Sequence, residues 1–349
     1  MKRKVIIVGS LFGINTLLQI LIRFSSEFSN GYHNDIYPIW VTTLGRLTSV
    51  IGISVAEIIL YVFVLGSIFH IIYGFVKGNK REHALSILYK FTVIANTLFL
   101  IYTLTCGINY QAQSFAEKNH IVLEDYTLEE LERTARILTQ EVNLSAKRVS
   151  RDGNGIMQLS EGVHNRIKQE MVDFGNRYEG FTSYITVPKP LLNSELLSYM
   201  QVAGIYSPFT IEANYNADLV PYNIPFTIFH ELAHTQGYMR EEEANFIAFL
   251  ICEQAKDEEF RYSGMLLGWV YVTNAIAQKD KILYGEMQSL LDSDVRADLQ
   301  ANREFWKQYD GVIGDISQNI NDEYLKVNSQ EEGIKSYGRV ADYIVNYLR

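Results

Sequence analysis

FHELAHTQGYMREEEANFIAFL, residues 229–250, decides how the second half of the chain is read. Its HELAH segment sets His230 and His234 four apart, and on a helix that spacing puts both on one face, one turn apart. From there two imidazoles reach a single zinc ion at about 2.0–2.1 Å. Glu231 sits beside them, placed to take a proton from a water whose pKa zinc lowers to about 7. A third protein ligand is still needed, and Glu241, Glu242 and Glu243 follow within a few residues.

Helical spacing ranks the three acids. Gly237 lies three residues past His234 and suits a left-handed helix end, so a second helix can start near Met239 and fold back on the first. On it, Glu241, Ala244, Asn245, Ala248 and Cys252 form one stripe of mostly small residues that lets two backbones approach. Glu242 falls with Phe246 and Phe249, and Glu243 with Ile247 and Leu250. Glu241 is therefore the expected ligand, Glu243 ranks second and Glu242 last. The two others are expected to be solvated acids favoured by the helix dipole.

Outside this stretch the chain divides by charge. Residues 1–110 hold nine Lys/Arg against four Asp/Glu, and the remaining 22 Lys/Arg face 36 Asp/Glu. The acidic remainder argues against nucleic acid as a partner, since phosphate binding needs clustered cations. Cys106 and Cys252 offer neither a disulfide framework nor a thiolate metal site.

The basic third carries apolar runs at about 5–22, 50–76 and 91–108, each near the length of about 20 residues that crosses a bilayer. The first follows MKRK and leads into FSSEFS without a small-residue cleavage pattern, so it reads as an uncleaved anchor. Lys2, Arg3 and Lys4 precede span one, and Lys77, Lys80, Arg81 and Lys90 flank the connection between spans two and three. The connection between spans one and two has only Arg23 and Arg46, together with Tyr32, Tyr37 and Trp40, which suit a membrane interface. The N-terminus is thus expected in the cytoplasm and residues 111–349 outside it. Glu57 falls inside span two near its outer end, where it either reaches the interface or has a function.

The rest reads as mostly α with a small strand component. Thr127, with Glu129 and Glu130, opens a helix, and Ser160 is expected to cap another running to about Arg177. FTSYITVPKP (181–190) and IYSPFTIEANYN (205–216) read as extended, and Ser194–Met200 as a short helix. After residue 239 the pattern is helical, with breaks expected around 257–259, 279–281, 292–294 and 319–322. Met265–Ala277 is too short to span a membrane and is expected in the core.

HELAH followed by E-x-x-A-N resembles the glutamate-zincin metallopeptidases, whose second motif is Glu-x-x-x-Asp. The resemblance implies zinc held by His230, His234 and Glu241, with Glu231 as general base. Asn245 stands where that class has an Asp orienting the first histidine, and its carbonyl oxygen can still accept from an imidazole N–H without adding charge. The class binds substrate main chain on a strand edge through an Asn-Ala pair, which Glu212, Ala213 and Asn214 resemble loosely. Tyr262 and Tyr238, with Arg261 behind them, are candidate oxyanion stabilisers. GINY (107–110), YSPFTIEANYN (206–216), IPFTIFHELAH (224–234), REEEANFIAFL (240–250) and RYSG (261–264) are further similar to a bacterial membrane family of unknown function. Its members combine three spans with an expected zinc-peptidase domain.

The reading that follows is a zinc metallopeptidase, thermolysin-like in its α-rich domain, anchored by three helices in a bacterial cell membrane and acting on peptide or protein. Two other readings stay open: a signalling or binding module with a structural or single-partner zinc site, and a reversed topology with a cytoplasmic domain.

Overall fold

The computed structural model describes residues 2–77, 80–328, 330, 333 and 339–349. Its labelled helices are α1 (Lys2–Phe24), α2 (Val55–Lys77), α3 (Lys80–Thr105), α4 (Leu128–Ala146), α5 (Val163–Gly175), α6 (Ser194–Tyr199), α7 (Asn223–Thr235), α8 (Glu241–Gln254), α9 (Glu258–Lys279), α10 (Ser293–Lys307), α11 (Val312–Val327) and α12 (Val340–Tyr347). The strands are β1 (Lys189–Pro190), β2 (Gly204–Ser207) and β3 (Glu212–Tyr215). Helix dominates, and the sheet has three strands in the order β1-β3-β2, so the mostly-α reading holds.

Three helices are long and apolar enough to cross a membrane: Lys2–Phe24, Val55–Gly74 and Glu82–Thr105. The first and third run side by side in the same direction. Lys4 lies over the Tyr89 ring, Asn15 Nδ2 donates to the Asn96 carbonyl at 3.0 Å, and Gln19 Nε2 donates to Thr103 Oγ1 at 3.2 Å. Span two starts at Val55, later than its apolar letters begin, and its first turn belongs to the domain surface. Glu57 there is buried and accepts N–H groups from Leu192 at 2.7 Å and Asn193 at 3.0 Å, along with the Tyr61 hydroxyl at 2.6 Å. Glu212 likewise accepts from the N–H groups of Val55 and Ala56 at 3.1 and 2.8 Å, where a carboxylate suits the positive end of a helix. A buried ion pair with Lys189 completes its shell.

The connection between spans one and two is not a simple interfacial loop. Between Ser26 and Ser49 it forms successive short α- and π-helical turns. Tyr32, Tyr37 and Val41 are buried with Cys106, Ile108, Tyr110, Ile211 and Met239 in a core separate from the main one. Tyr37, expected at the interface, is fully buried because the domain folds over it.

The main core is built on α7, α8 and α9, with α4 along α9, α12 against α8 and α9, and the sheet on α7. Thr127 makes the expected cap, with Glu130 returning the hydrogen bond. Ser160 does not cap: its hydroxyl donates to Glu259, and α5 starts two residues later than that cap would place it, after Gly162 in the left-handed region. The extended reading of 205–216 resolves into the antiparallel hairpin β2–β3. The breaks at 257 and 280 are helix ends where Asp257 and Asp280 cap the next helix. The break expected at 319–322 is absent, because α11 runs unbroken through it. Met265, Leu266, Trp269, Val272 and Ile276 face the core, as expected.

Candidate metal centre

α7 ends where its chemistry does. Gly237 has φ +100°, and the Tyr238 N–H closes back onto the Ala233 carbonyl at 3.2 Å. The turn delivers α8, whose first residue is Glu241. His230, His234 and Glu241 converge: Nε2 to Nε2 is 3.0 Å, His230 Nε2 to Glu241 Oε2 is 3.1 Å, and His234 Nε2 to Glu241 Oε2 is 3.8 Å. Donors around a tetrahedral zinc at about 2.0–2.1 Å stand about 3.3 Å apart, so this set fits such an ion. His234 Nδ1 lies 2.7 Å from the Tyr238 carbonyl. That carbonyl can only accept, so Nδ1 carries a proton in either charge state, and Nε2 is the atom turned toward the cluster, able to bind a metal once its own proton has left. The group could hold a metal.

The clustered groups also set one another's charge. Burial pushes the Glu241 carboxyl up, but hydrogen bonds from His230 and His234 outweigh it and keep it well below the usual carboxylate range. His234 suffers the same burial, which opposes its charge, yet Glu241 and Glu231 bring it up to about 9. Burial raises Glu231 to about 7, against the opposing pull of His230 and His234.

The three consecutive acids divide as the stripe predicts, but not by solvation. All are buried. Glu242 accepts from Gln330 Nε2 at 2.6 Å, and Glu243 accepts the Phe115 N–H at 2.9 Å and pairs with Arg240 at 3.4 Å. The two non-ligands are thus interior anchors for other segments, since elements not foreseen from sequence cover this helix all round. The far end of the small-residue stripe faces α9 rather than α7: Cys252 lies where Gly264 of α9 leaves room, and a Cβ on that glycine would come within 2.2 Å of the Cys252 Cβ.

Asn245 follows Glu241 by one turn, but its Oδ1 accepts from the Tyr271 hydroxyl at 3.0 Å. Its Nδ2 and His230 Nδ1 are both buried without a hydrogen-bond partner, so the implied Asn245–His230 bond is not formed. Tyr262 is engaged elsewhere: it donates to Asp298 Oδ2 at 2.5 Å, under the Arg151 guanidinium. The Tyr238 hydroxyl donates to the Glu179 carbonyl, and Arg261 pairs with Glu141, so of these three only Tyr238 reaches the centre, through its backbone. Ala213 and Asn214 lie on β3, the middle strand, and both are buried. They are therefore not a free edge.

β2, by contrast, is an edge strand. Asn216 N–H bonds the Ala203 carbonyl at 2.8 Å, so with Gly204 opposite Tyr215 the alternation of an antiparallel ladder turns the N–H and C=O of Gly204 and Tyr206 away from β3. That side faces the site. A Cβ on Gly204 would lie 2.5 Å from Glu231 Oε1 and 2.8 Å from Thr227 Cγ2, so the bare glycine makes room for the Glu231 carboxylate. The Tyr206 N–H favours the charged form of that carboxylate, and the Tyr206 ring lies 6.1 Å from the His234 ring. Behind α7, the Tyr37 hydroxyl donates to the carbonyls of His234 and Thr235 at 3.3 and 3.2 Å. Gly204 opens an extended segment in the sequence, which is its one legible sign. Nothing distinguishes Tyr37, Tyr206 or Tyr271 among 23 tyrosines.

This arrangement spans the hairpin, both metal helices and the connection after span one, and all of it lies within one family match. The chain belongs to the DUF3810 family. Protein of unknown function (DUF3810) is the family's description, and it matches residues 32–345. DUF3810 therefore takes in the buried connection and the last helix of the domain as one unit, beginning just past span one. Comparison with curated proteins and with solved structures gave no match.

Proposed function

We propose that this protein is a membrane-anchored zinc-dependent peptidase with a zincin-like domain. The reading is carried by the convergence of His230, His234 and Glu241 with Glu231 beside them, facing the outer side of the edge strand β2. When bound, zinc would supply Lewis acidity for a peptide carbonyl and for water. The chain's own residues do the rest. An extended substrate segment pairs with the outward N–H and C=O of Gly204 and the C=O of Tyr206, whose N–H faces Glu231, as peptides add to sheet edges. Glu231, held over Gly204, takes a proton from the attacking water and returns it to the leaving amine. Tyr238, through its carbonyl, fixes the tautomer and orientation of His234. By the distribution of Lys and Arg, the N-terminus lies in the cytoplasm of a bacterial cell and the domain outside it. A reporter fused after Arg349 that is active only in the cytoplasm would reverse that placement.

One observation favours a second reading, a closed site serving structure or a single partner: the side chains of His230 and Glu241 are each only 12 % exposed. Full-length protein in nanodiscs, assayed for metal content and for hydrolysis of a mixed peptide library, separates the two. Glu231→Gln is expected to retain the metal and lower turnover by about 10²–10⁴-fold. Turnover unchanged in that variant removes Glu231 as the base, whereas bound zinc with no hydrolysis in the parent protein supports the closed site.

A further inference from the structure

α11 carries an apolar face that nothing among the described residues covers. Val312, Ile313, Ile316, Ile320 and Val327 are 72, 53, 54, 66 and 82 % exposed. At helical pitch they share one arc of about 100°. Gly314 and Leu325, on the opposite side, are buried. Asp315, Asn319, Asp322 and Lys326 form the third side, and Glu323, which falls within the arc between Val312 and Ile316, reaches sideways to pair with Lys326. An apolar stripe facing outward on a charged, amphipathic helix marks a surface made for a partner.

The position of α11 identifies that partner. At its C-terminal end the Tyr324 hydroxyl lies 3.3 Å from that of Tyr102, which donates to Asn328 Oδ1 at 2.6 Å. Tyr102 belongs to the last turn of α3. At the N-terminal end, Tyr309 packs edge-on to Tyr199 with ring centroids 5.0 Å apart, and Gln201 donates to Asp310 at 3.2 Å. Gly314 rests so close to Gln201 that a Cβ would come within 2.7 Å of its Cγ. Tyr199 and Gln201 end the α6 segment, whose first residues, Leu192 and Asn193, are bound by Glu57 at the start of α2. A helix of about 24 Å thus bridges the domain-side ends of spans two and three. Tyr324 lies at the edge of the apolar arc and reaches Tyr102, one turn inside the end of α3, so the arc lies on the side of α11 toward the membrane.

We propose that α11 is an interfacial helix whose apolar face is immersed in the bilayer surface between the ends of spans two and three. The inference rests on those helices crossing a membrane and is independent of the peptidase reading. Its polar side is largely acidic, so apolar burial and the two tethers hold it there, without attraction to anionic headgroups.

Full-length protein reconstituted one copy per nanodisc tests this, with an environment-sensitive fluorophore on Ile316→Cys, Ile320→Cys or Asn319→Cys. The native Cys106 and Cys252 are buried and leave the introduced thiol as the reactive one. Lipids brominated at shallow acyl positions are expected to quench the labels at 316 and 320 at least about twofold more than the label at 319. Equal quenching at all three overturns the proposal. So do labels at 316 and 320 that are shielded from aqueous iodide yet not reached by the lipid quencher, because other parts of this chain would then cover the face.

Discussion

The metal helices and the connection between spans one and two touch each other, yet their sequences carry that fact very differently. In α7 and α8 every candidate ligand follows from local spacing: i, i+4 for the histidines, a left-handed glycine for the fold-back, one stripe for Glu241. The connection has comparable order, with Tyr37 buried and bonded to two carbonyls of the metal helix, but no periodicity announces it. Its residues are placed by what packs over them. The comparison teaches that a cluster able to hold a metal can be legible while the shell around it is not.

The largest effect that would break this contrast lies in the three acids. Glu241→Ala should lower metal retention by at least about tenfold, since it removes a ligand whose loss outweighs that of an outer-shell group. Glu243→Ala should leave metal affinity near that of the parent and cost about 1–3 kcal/mol in stability, because the Phe115 N–H loses its buried acceptor. Metal analysis after dialysis, paired with thermal unfolding, reads both. If Glu243→Ala loses the metal and Glu241→Ala keeps it, helical stripe logic fails even where the sequence is most regular.

Gly204→Ala comes next and probes the boundary between the legible and the hidden. The added methyl competes with Glu231 and Thr227 for space, so Glu231 must move while the three ligand side chains stay. Hydrolysis should fall by about 10–100-fold with metal stoichiometry unchanged, because a misplaced catalytic group costs rate before it costs binding. Unchanged hydrolysis would mean that β2 does not set the position of Glu231.

How much could be read in advance follows from the range of each signal. The three spans, the capped start of α4, the short helix α6 and the turn at Gly237 come from patterns a few residues long. The cluster of His230, His234 and Glu241 does too, because α7 and α8 are neighbours in sequence. Sheet order does not: that β3 is central and β2 at the edge depends on β1, some two dozen residues upstream of β3, so Ala213 and Asn214 look like an edge and are not. Glu57 illustrates the same limit. Its position in an apolar run marks it as unusual, but the Leu192 and Asn193 N–H groups it binds come from far along the chain. Glu242 and Glu243 look like solvated first-turn acids for the same reason, until residues 330 and 115 arrive to bury them.

The smallest expected effect tests whether the connection after span one is part of the metal site or merely beside it. Tyr37→Phe keeps the ring and its packing against His33, and deletes only the hydroxyl that donates to the His234 and Thr235 carbonyls and meets Tyr206 at 3.1 Å. The His234 carbonyl also accepts the Gly237 N–H at 3.0 Å, while the Thr235 carbonyl ends α7 with no further turn of helix to bond, so there the hydroxyl takes the place of a capping donor from outside the helix. Its loss should cost about 1 kcal/mol. Metal content should hold, while the apparent metal affinity weakens slightly because His234 is less firmly placed. Melting temperature and a competitive metal titration, compared with Tyr32→Phe as a control on the same connection, measure both quantities. Stability and affinity equal to the parent would show that α7 ends as firmly without Tyr37, and the span connection would then be packing against the site without positioning it.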